Sequence, residues 1–417
     1  MDSNQEHQIS DDEMEFDKET DDPELQRFNQ NLKDQMKKIK ISMYSQDQVM
    51  EYFNRRSIDF YRRDKKELQI TNGFGFVQDT IKIDDDRSTA TSCDQFQPLR
   101  LSDSAPKVDN KQLKQENARM KKWVQMLQTD PHMKNYNKYK KRVRKGIPQS
   151  VRGYAWKILS KSDQQLTQQS DPSEYYQSLL KQQGNHEVIR TIFKDVTRTF
   201  TDHVFFRDEF GQGQKTLFCV LKALSIHDQE IGYVQGMGYI SAMLLTQLDE
   251  EDTFKCSLTI MNKHEFRDNF KDKMPGLAKS FYIHLSLLKK FMPKIHAHFL
   301  QNYMIPQIYA TQWYMTLFAS SLPYECILKI WDIYLVEGTK IIYRVCLALI
   351  KLISPNMLQM GMDELYSGLK QLQNTIDADT LIKTAMSFKF TNSVLKKIEQ
   401  KYTNKPDKDI LQHCVMS

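Results

Sequence analysis

Arg144-Lys145-Gly146-Ile147-Pro148-Gln149-Ser150-Val151-Arg152-Gly153-Tyr154-Ala155-Trp156-Lys157-Ile158-Leu159 is the stretch whose reading decides the fold class. Gly146-Ile147-Pro148 makes a turn, and Pro148 suits the first turn of the helix that follows, where its missing N–H costs nothing. In that helix Val151, Ala155, Ile158 and Leu159 form an apolar stripe, which a helix must bury against a partner. Just upstream, Met120, Trp123, Val124 and Leu127 recur at helical spacing until Asp130-Pro131 stops them. Downstream the same periodicity predicts helices over Val188–Thr199, Thr216–His227, Tyr239–Gln247 and Thr253–Met261. It continues over Leu277–Met292, Pro293–Tyr303, Gln312–Ser320, Tyr324–Leu335 and Lys340–Ile353. The connections are short, as between packed helices. From Lys111 onward no strand alternation and no internal repeat is present. The lone Trp331-Asp332 pair does not recur at blade spacing, so it is no propeller signature. The expectation is an all-α fold.

The flanks read differently. Between Asp2 and Glu24 there are eleven acidic residues and one basic residue, Lys18, so residues 1–24 are expected to be a disordered acidic tail. Residues 25–110 are mixed: a helix fits Gln48–Tyr61, a short strand or turn fits Gly73-Phe74-Gly75-Phe76-Val77, and Asp84-Asp85-Asp86 starts a loop. The expected division is 1–24, 25–110, a helical body over 111–370, and a C-terminal helix with a basic tail over 371–417.

The totals agree with a helical protein. Apolar residues make up 40% of 417, and glycine is scarce at 14. The net charge of +6 is too mild to mark a nucleic-acid binder. Because the acidic tail offsets part of the positive charge, the rest of the chain is distinctly basic and suits an acidic partner or a membrane surface. The six cysteines, at 93, 219, 256, 326, 346 and 414, show no C-x-x-C spacing and no accompanying histidine cluster. Neither a zinc site nor a disulfide framework is expected, and no residue set is assigned to a metal. There is no secretion-signal pattern at the N-terminus and no run of about 18 apolar residues to span a membrane.

Three segments bear on chemistry. Gly211-Gln212-Gly213-Gln214-Lys215-Thr216 resembles a phosphate-cradling loop, but Gln214 separates Gly213 from Lys215 and no strand precedes it. A turn before a helix at Thr216 is the better reading, and the chain is expected to hold no nucleotide of its own. In Ile192-Phe193-Lys194-Asp195-Val196-Thr197-Arg198-Thr199-Phe200, helical spacing puts Asp195 beside Arg198 and Thr199. Taken alone, Asp195 and Arg198 are a surface ion pair that stabilises little. Arg198 sits where the helical pattern runs out, so its side chain is able to project from a helix end with Asp195 fixing the guanidinium. In Ile231-Gly232-Tyr233-Val234-Gln235-Gly236-Met237-Gly238-Tyr239, three glycines permit close backbone approach around Gln235. Taken alone this is a helix-packing turn. A glutamine amide also donates and accepts at once, as holding a water molecule requires. A projecting arginine and a water-holding glutamine are the two parts that complete a GTPase active site, where charge develops on the transferring phosphoryl group and water must be aligned.

The stretch from about Lys121 to Leu358 resembles the TBC domain, the family of Rab GTPase-activating proteins. The likeness is carried by ordered motifs. Arg144-Lys145-Gly146-Ile147-Pro148 with Val151-Arg152-Gly153-Tyr154-Ala155-Trp156 is similar to the family's opening segment. Ile192-x-x-Asp195-x-x-Arg198 is similar to its arginine-finger motif, and Tyr233-x-Gln235-Gly236-Met237 to its glutamine-finger motif. Tyr309-Ala310-Thr311-Gln312-Trp313-Tyr314, Leu322-Pro323, Ile330-Trp331-Asp332 and Glu337-Gly338 follow in order. The resemblance implies a two-lobed helical domain. It implies that Arg198 enters a Rab active site, that Gln235 aligns the attacking water, and that Asp195 and Tyr233 support these two, with Gly236 in the second motif. Arg152 and Trp156 are expected to hold the N-terminal half together. The chain would need no cofactor of its own, since GTP and magnesium are bound to the partner GTPase. Thr201 stands where many members have proline, a departure in the loop after Arg198.

Cys414-Val415-Met416-Ser417 fits a prenylation motif whose terminal serine favours a farnesyl group on Cys414. The bland reading is a chance cysteine. Lys396, Lys397, Lys401, Lys405 and Lys408 lie upstream. They read either as a solvated helix face or as a basic cluster that supplements one lipid chain at an anionic membrane. The expected protein is a cytoplasmic activator of Rab GTP hydrolysis, peripheral on endomembranes, acting in vesicle trafficking. A Rab-binding or scaffold module without catalysis is the competing reading. A lipid-directed adaptor working through the first 110 residues is a third.

Overall fold

Apolar stripes that need burial organise the chain into helices, and caps or first-turn prolines mark where several of them begin. The computed structural model describes residues 67–71, 77–82, 110–130, 132–162, 171–353 and 357–404. Ahead of the helices stands a hairpin of two antiparallel strands, β1 (Glu67–Thr71) and β2 (Val77–Lys82), with Glu67 opposite Lys82 and Ile70 opposite Asp79. The short strand or turn expected at Gly73–Val77 overlaps β2 at Val77 alone; residues 72–76 lie outside the described residues, as do the expected acidic tail and the helix at Gln48–Tyr61.

The first helices are α1 (Asn110–Thr129), α2 (Tyr136–Val143), α3 (Gln149–Ser160), α4 (Pro172–Lys181), α5 (His186–Val196), α6 (Val204–Arg207), α7 (Gln212–His227), α8 (Met237–Leu245) and α9 (Glu250–Asn262). A 3-10 segment, Lys263–Asn269, leads on to α10 (Pro275–Phe291), α11 (Pro293–Gln301), α12 (Pro306–Tyr309) and α13 (Thr311–Met315). The remainder is α14 (Tyr324–Glu337), α15 (Lys340–Leu352), α16 (Met362–Thr375), α17 (Ala378–Ser387) and α18 (Asn392–Thr403). Asp171, Asn185 and Asp249 cap α4, α5 and α9 by accepting from backbone N–H groups of the first turn. Pro172, Pro275, Pro293 and Pro306 occupy first-turn positions.

Several boundaries move for local reasons. α7 begins at Gln212 rather than Thr216, so Gly213 is inside the helix and not in a turn. A Cβ there would collide with the Phe205 carbonyl oxygen, and that close approach is what the glycine permits. The helix expected over Gln312–Ser320 stops at Met315, because Leu317 and Phe318 take positive φ values of 49° and 67°. A division after residue 370 falls inside α16, and α17 packs on α14 and α15, so the helical body continues past it.

Two helices are buried on nearly every side and form the centres of the two halves. Gly213, Gln214 and all of Thr216–Ile226 in α7 are buried, with α4, α5, α6, α8 and α9 packed around it. Lys340–Ile350 of α15 is buried throughout, enclosed by α10, α14, α16 and α17.

The opening segment ties these halves together. Helices α2 and α3 pack on α14, and α3 also packs on α1 and α9. At the centre of that contact Asp332 is fully buried. It accepts from the Ile147 backbone N–H at 3.0 Å, from Trp156 Nε1 at 2.8 Å and from Arg152 Nε at 3.3 Å. Burial pushes its carboxyl up from the ordinary value, and Arg152 with the other two donors pulls it back. Trp156 stacks on Trp331 with ring centroids 5.7 Å apart. Alongside, the Arg144 guanidinium forks onto the buried Glu337 at 2.5 and 2.7 Å. Arg152 also donates to the Gln149 side chain and to the Ile147 backbone carbonyl, so it holds the opening segment together as expected. Through Asp332, Arg152 and Trp156 in addition bind that segment to α14, in the C-terminal half.

Removing one partner of such a cluster leaves buried polar groups uncompensated. Asp332→Ala removes the acceptor of the Trp156 N–H, of the Ile147 N–H and of Arg152 Nε, although Arg152 keeps Gln149 and the Ile147 carbonyl, and is expected to cost about 3–5 kcal/mol of folding stability. Urea unfolding followed by tryptophan fluorescence checks it: an unchanged midpoint would show that the cluster holds nothing together.

Candidate functional site

Asn185 starts α5 and the helix delivers its last buried residues, Asp195 and Val196, to the interior. Thr197 ends it, so Arg198 leaves the helix with its side chain 57% exposed. Phe200 then takes a positive φ of 49°, unusual for a bulky residue. Its ring lies edge-on to Tyr239, centroids 5.5 Å apart, and tilted against Phe206. These aromatic contacts hold the turn that leaves Arg198 at the surface.

Asp195 is the hub. It is 4% exposed, and its two carboxylate oxygens have separate partners. Arg198 Nη2 donates to Oδ1, and the Tyr233 hydroxyl donates to Oδ2 at 2.7 Å. Thr199 Oγ1 donates to the Asp195 backbone carbonyl at 2.7 Å. Burial, and next the Asp195 carboxylate, push the Tyr233 phenol well above its ordinary value, so it remains a hydrogen-bond donor at neutral pH. The result is a guanidinium aimed outward and pinned from behind.

Two residues beyond Tyr233, Gln235 is exposed on the turn that enters α8. Gly236 closes that turn at φ +110°, a conformation that side chains resist. The structure therefore gathers Asp195, Arg198 and Tyr233 into one bonded set and puts Gln235 on the segment anchored by Tyr233. Arg152 and Trp156 stand apart, making their contacts to Asp332. Cys414, Lys405 and Lys408 lie outside the described residues. Lys396, Lys397 and Lys401 are exposed on α18.

Arg198 opens onto a groove of about 420 Å³. One side is built by Arg198, Phe200, Thr201, Asp202 and Tyr239. The other comes from residues 319–323 and from Lys370, Gln373 and Asn374 on α16. Gln235 is not among the lining residues. Nothing in the spacing of single motifs marks the α16 side, since its residues meet Arg198 only through the packing of α16 on α15.

The family model for the Rab-GTPase-TBC domain matches residues 149–358. The chain belongs to this family. It is 31% identical over 285 residues to the human "Ecotropic viral integration site 5 protein homolog", covering 67% of this chain and 34% of that protein. It is 30% identical over 282 residues to "Rab GTPase-activating protein eat-17" of Caenorhabditis elegans, covering 66% of this chain and 30% of the relative. The chain thus spans about a third of the length of these relatives. Among solved structures, the Chlamydomonas flagellar RabGAP TBC domain superposes with a TM-score of 0.56 at 27% identity, over 66% of this chain and 94% of that one. The family and two-lobed helical fold implied by the ordered motifs are those found, with the β1–β2 hairpin as the addition.

Tyr233→Phe removes a donor to a buried carboxylate while keeping the ring. The expected cost is about 1.5–3 kcal/mol, the range for hydrogen bonds to charged groups. A thermal unfolding midpoint indistinguishable from that of the parent chain would mean that the Tyr233–Asp195 bond carries no load.

Proposed function

We propose that this chain accelerates GTP hydrolysis by a Rab-family small GTPase, completing the partner's active site in trans. The observation that carries the reading is the bonded set Arg198–Asp195–Tyr233, with an exposed guanidinium at a helix end and Gln235 on the segment that follows Tyr233. Membership of the TBC family and the likeness to a worm protein named as a Rab GTPase activator support the same reading.

Arg198 neutralises charge that develops on the transferring phosphoryl group. Asp195 restricts the guanidinium before the partner arrives, which lowers the entropy lost on docking. Gln235 orients the attacking water, accepting from it and donating at the same time. Phosphoryl transfer asks little covalent chemistry of the protein, so positioning and charge suffice. GTP and magnesium belong to the partner, and the chain contributes residues rather than a substrate pocket. In this reading it serves vesicle trafficking in the cytoplasm, on endomembrane surfaces.

Arg198→Lys keeps the charge but loses the planar fork, and is expected to remove most of an acceleration of roughly 10³–10⁵ while leaving binding largely intact. Phosphate release from a panel of GTP-loaded Rabs measures it. A variant that still accelerates hydrolysis would mean that Arg198 is not the finger. Tight binding by the parent chain with unchanged hydrolysis across the panel would leave a non-catalytic binding module.

Membrane attachment is a separate proposal, resting on Cys414-Val415-Met416-Ser417 and the upstream lysines. Expressed in a eukaryotic host, the C-terminal peptide is expected to carry a farnesyl group on Cys414. Mass spectrometry that finds only the free thiol there sinks the idea.

A further inference from the structure

The groove beside Arg198 has a second wall, supplied by α16, to which the reactions above assign nothing. Lys370, Gln373 and Asn374 are spaced i, i+3 and i+4, so one helix face presents all three to the groove. Gln373 is only 3% exposed, yet its amide makes no hydrogen bond among the described residues. With no protein partner among the described residues, its amide N and O keep contact with solvent, and they do so in the groove that the residue lines. Its carbonyl and NH2 together match the donor and acceptor of a peptide group. Lys370 is exposed, lies over the Tyr366 ring at 5.8 Å, and forms no ion pair among the described residues. It is the only charged residue that the 319–323 loop and α16 contribute to the lining. Ser320 and Ser321 add hydroxyls to the same side.

An amide that matches peptide groups, a neighbouring amide, hydroxyls and one cation suit an extended polypeptide segment bearing a carboxylate. Arg198 forms the facing wall, so a protein whose nucleotide meets that guanidinium must present backbone to this groove. α16 also lies beyond residues 149–358, the part that matches the family model. We propose that Lys370, Gln373 and Asn374 read an extended, carboxylate-bearing segment of the GTP-loaded partner and set which GTPase is accepted. The proposal rests on the trans-activation reading above and names the part of the chain that selects the partner.

The test is steady-state hydrolysis by purified Rabs, varying the concentration of GTP-loaded Rab at fixed full-length chain. Lys370→Glu is on the surface and tolerated by the fold; Gln373→Leu keeps the volume of a buried residue, and its thermal midpoint is checked beside the parent. For the most responsive Rab, each is expected to raise KM by about tenfold and leave kcat within about twofold, because a recognition contact made equally in ground and transition states moves KM alone. The order of kcat/KM values among Rabs is expected to change, with Lys370→Glu now disfavouring the Rab whose segment carries the carboxylate. If KM and that order stay unchanged in both variants while Arg198→Lys removes kcat, α16 has no part in recognition although the activation reading stands. If Arg198→Lys leaves kcat intact, the activation reading falls and this proposal with it.

Discussion

The buried carboxylate of Asp332, seconded by that of Glu337, holds the two halves of this protein in register. A charge taken out of water is tolerated only when it is surrounded by donors, and here a backbone N–H, an indole N–H and a guanidinium converge on it. All three donors lie within Ile147–Trp156, whereas the acceptor is on α14. The cluster therefore forms only when the opening segment has crossed from one half to the other. The stacked, fully buried Trp156 and Trp331 rings and the Arg144–Glu337 fork join the same two segments. The groove beside Arg198 has the turn after α5 and Tyr239 of α8 on one side, and residues 319–323 with α16 on the other.

Asp195 repeats the device for a different end. It too is buried, and it too is met by a tyrosine hydroxyl and a guanidinium, but one of its partners is largely exposed. A surface ion pair three residues apart on a helix contributes little by itself. The gain lies in restriction: the Tyr233 bond locks the carboxylate, and the carboxylate limits the guanidinium. Phe200 and Gly236 both take positive φ in the turns that follow Arg198 and Gln235; glycine adopts it freely, whereas at Phe200 it is strained. Strain of this kind persists where surrounding contacts over-determine it, and here aromatic packing of Phe200 supplies those contacts.

The helical class was legible because apolar spacing is a local property. The stripes around Trp123, Val151–Leu159 and Lys340–Ile350 each predicted a helix, and each is one. Local signals also found the chain's exit from α5 at Arg198. They failed where a contact with another element decides the backbone. Gly213 reads as a turn residue from sequence, since the Phe205 carbonyl that makes glycine necessary inside α7 is invisible there. The helix over Gln312–Ser320 is cut short by left-handed Leu317 and Phe318, whose composition predicts continuation. The helices α4, α16 and α17 are not among those expected from the apolar spacing, although each carries a clear amphipathic face.

For the site, the sequence determined which residue types were present and that they stood at the end of a helix and in a glycine-rich turn. It also determined, through ordered motifs, the family to which the chain belongs. Only the tertiary structure decided that Tyr233, thirty-eight residues beyond Asp195, donates to its second oxygen, that Arg152 and Trp156 serve the junction with α14 as well as the N-terminal half, and that α16 lines a groove with Arg198. The physical reason is the same in each case. Periodicity reports which face of an element is apolar, whereas hydrogen bonds between distant side chains follow from how those faces pack.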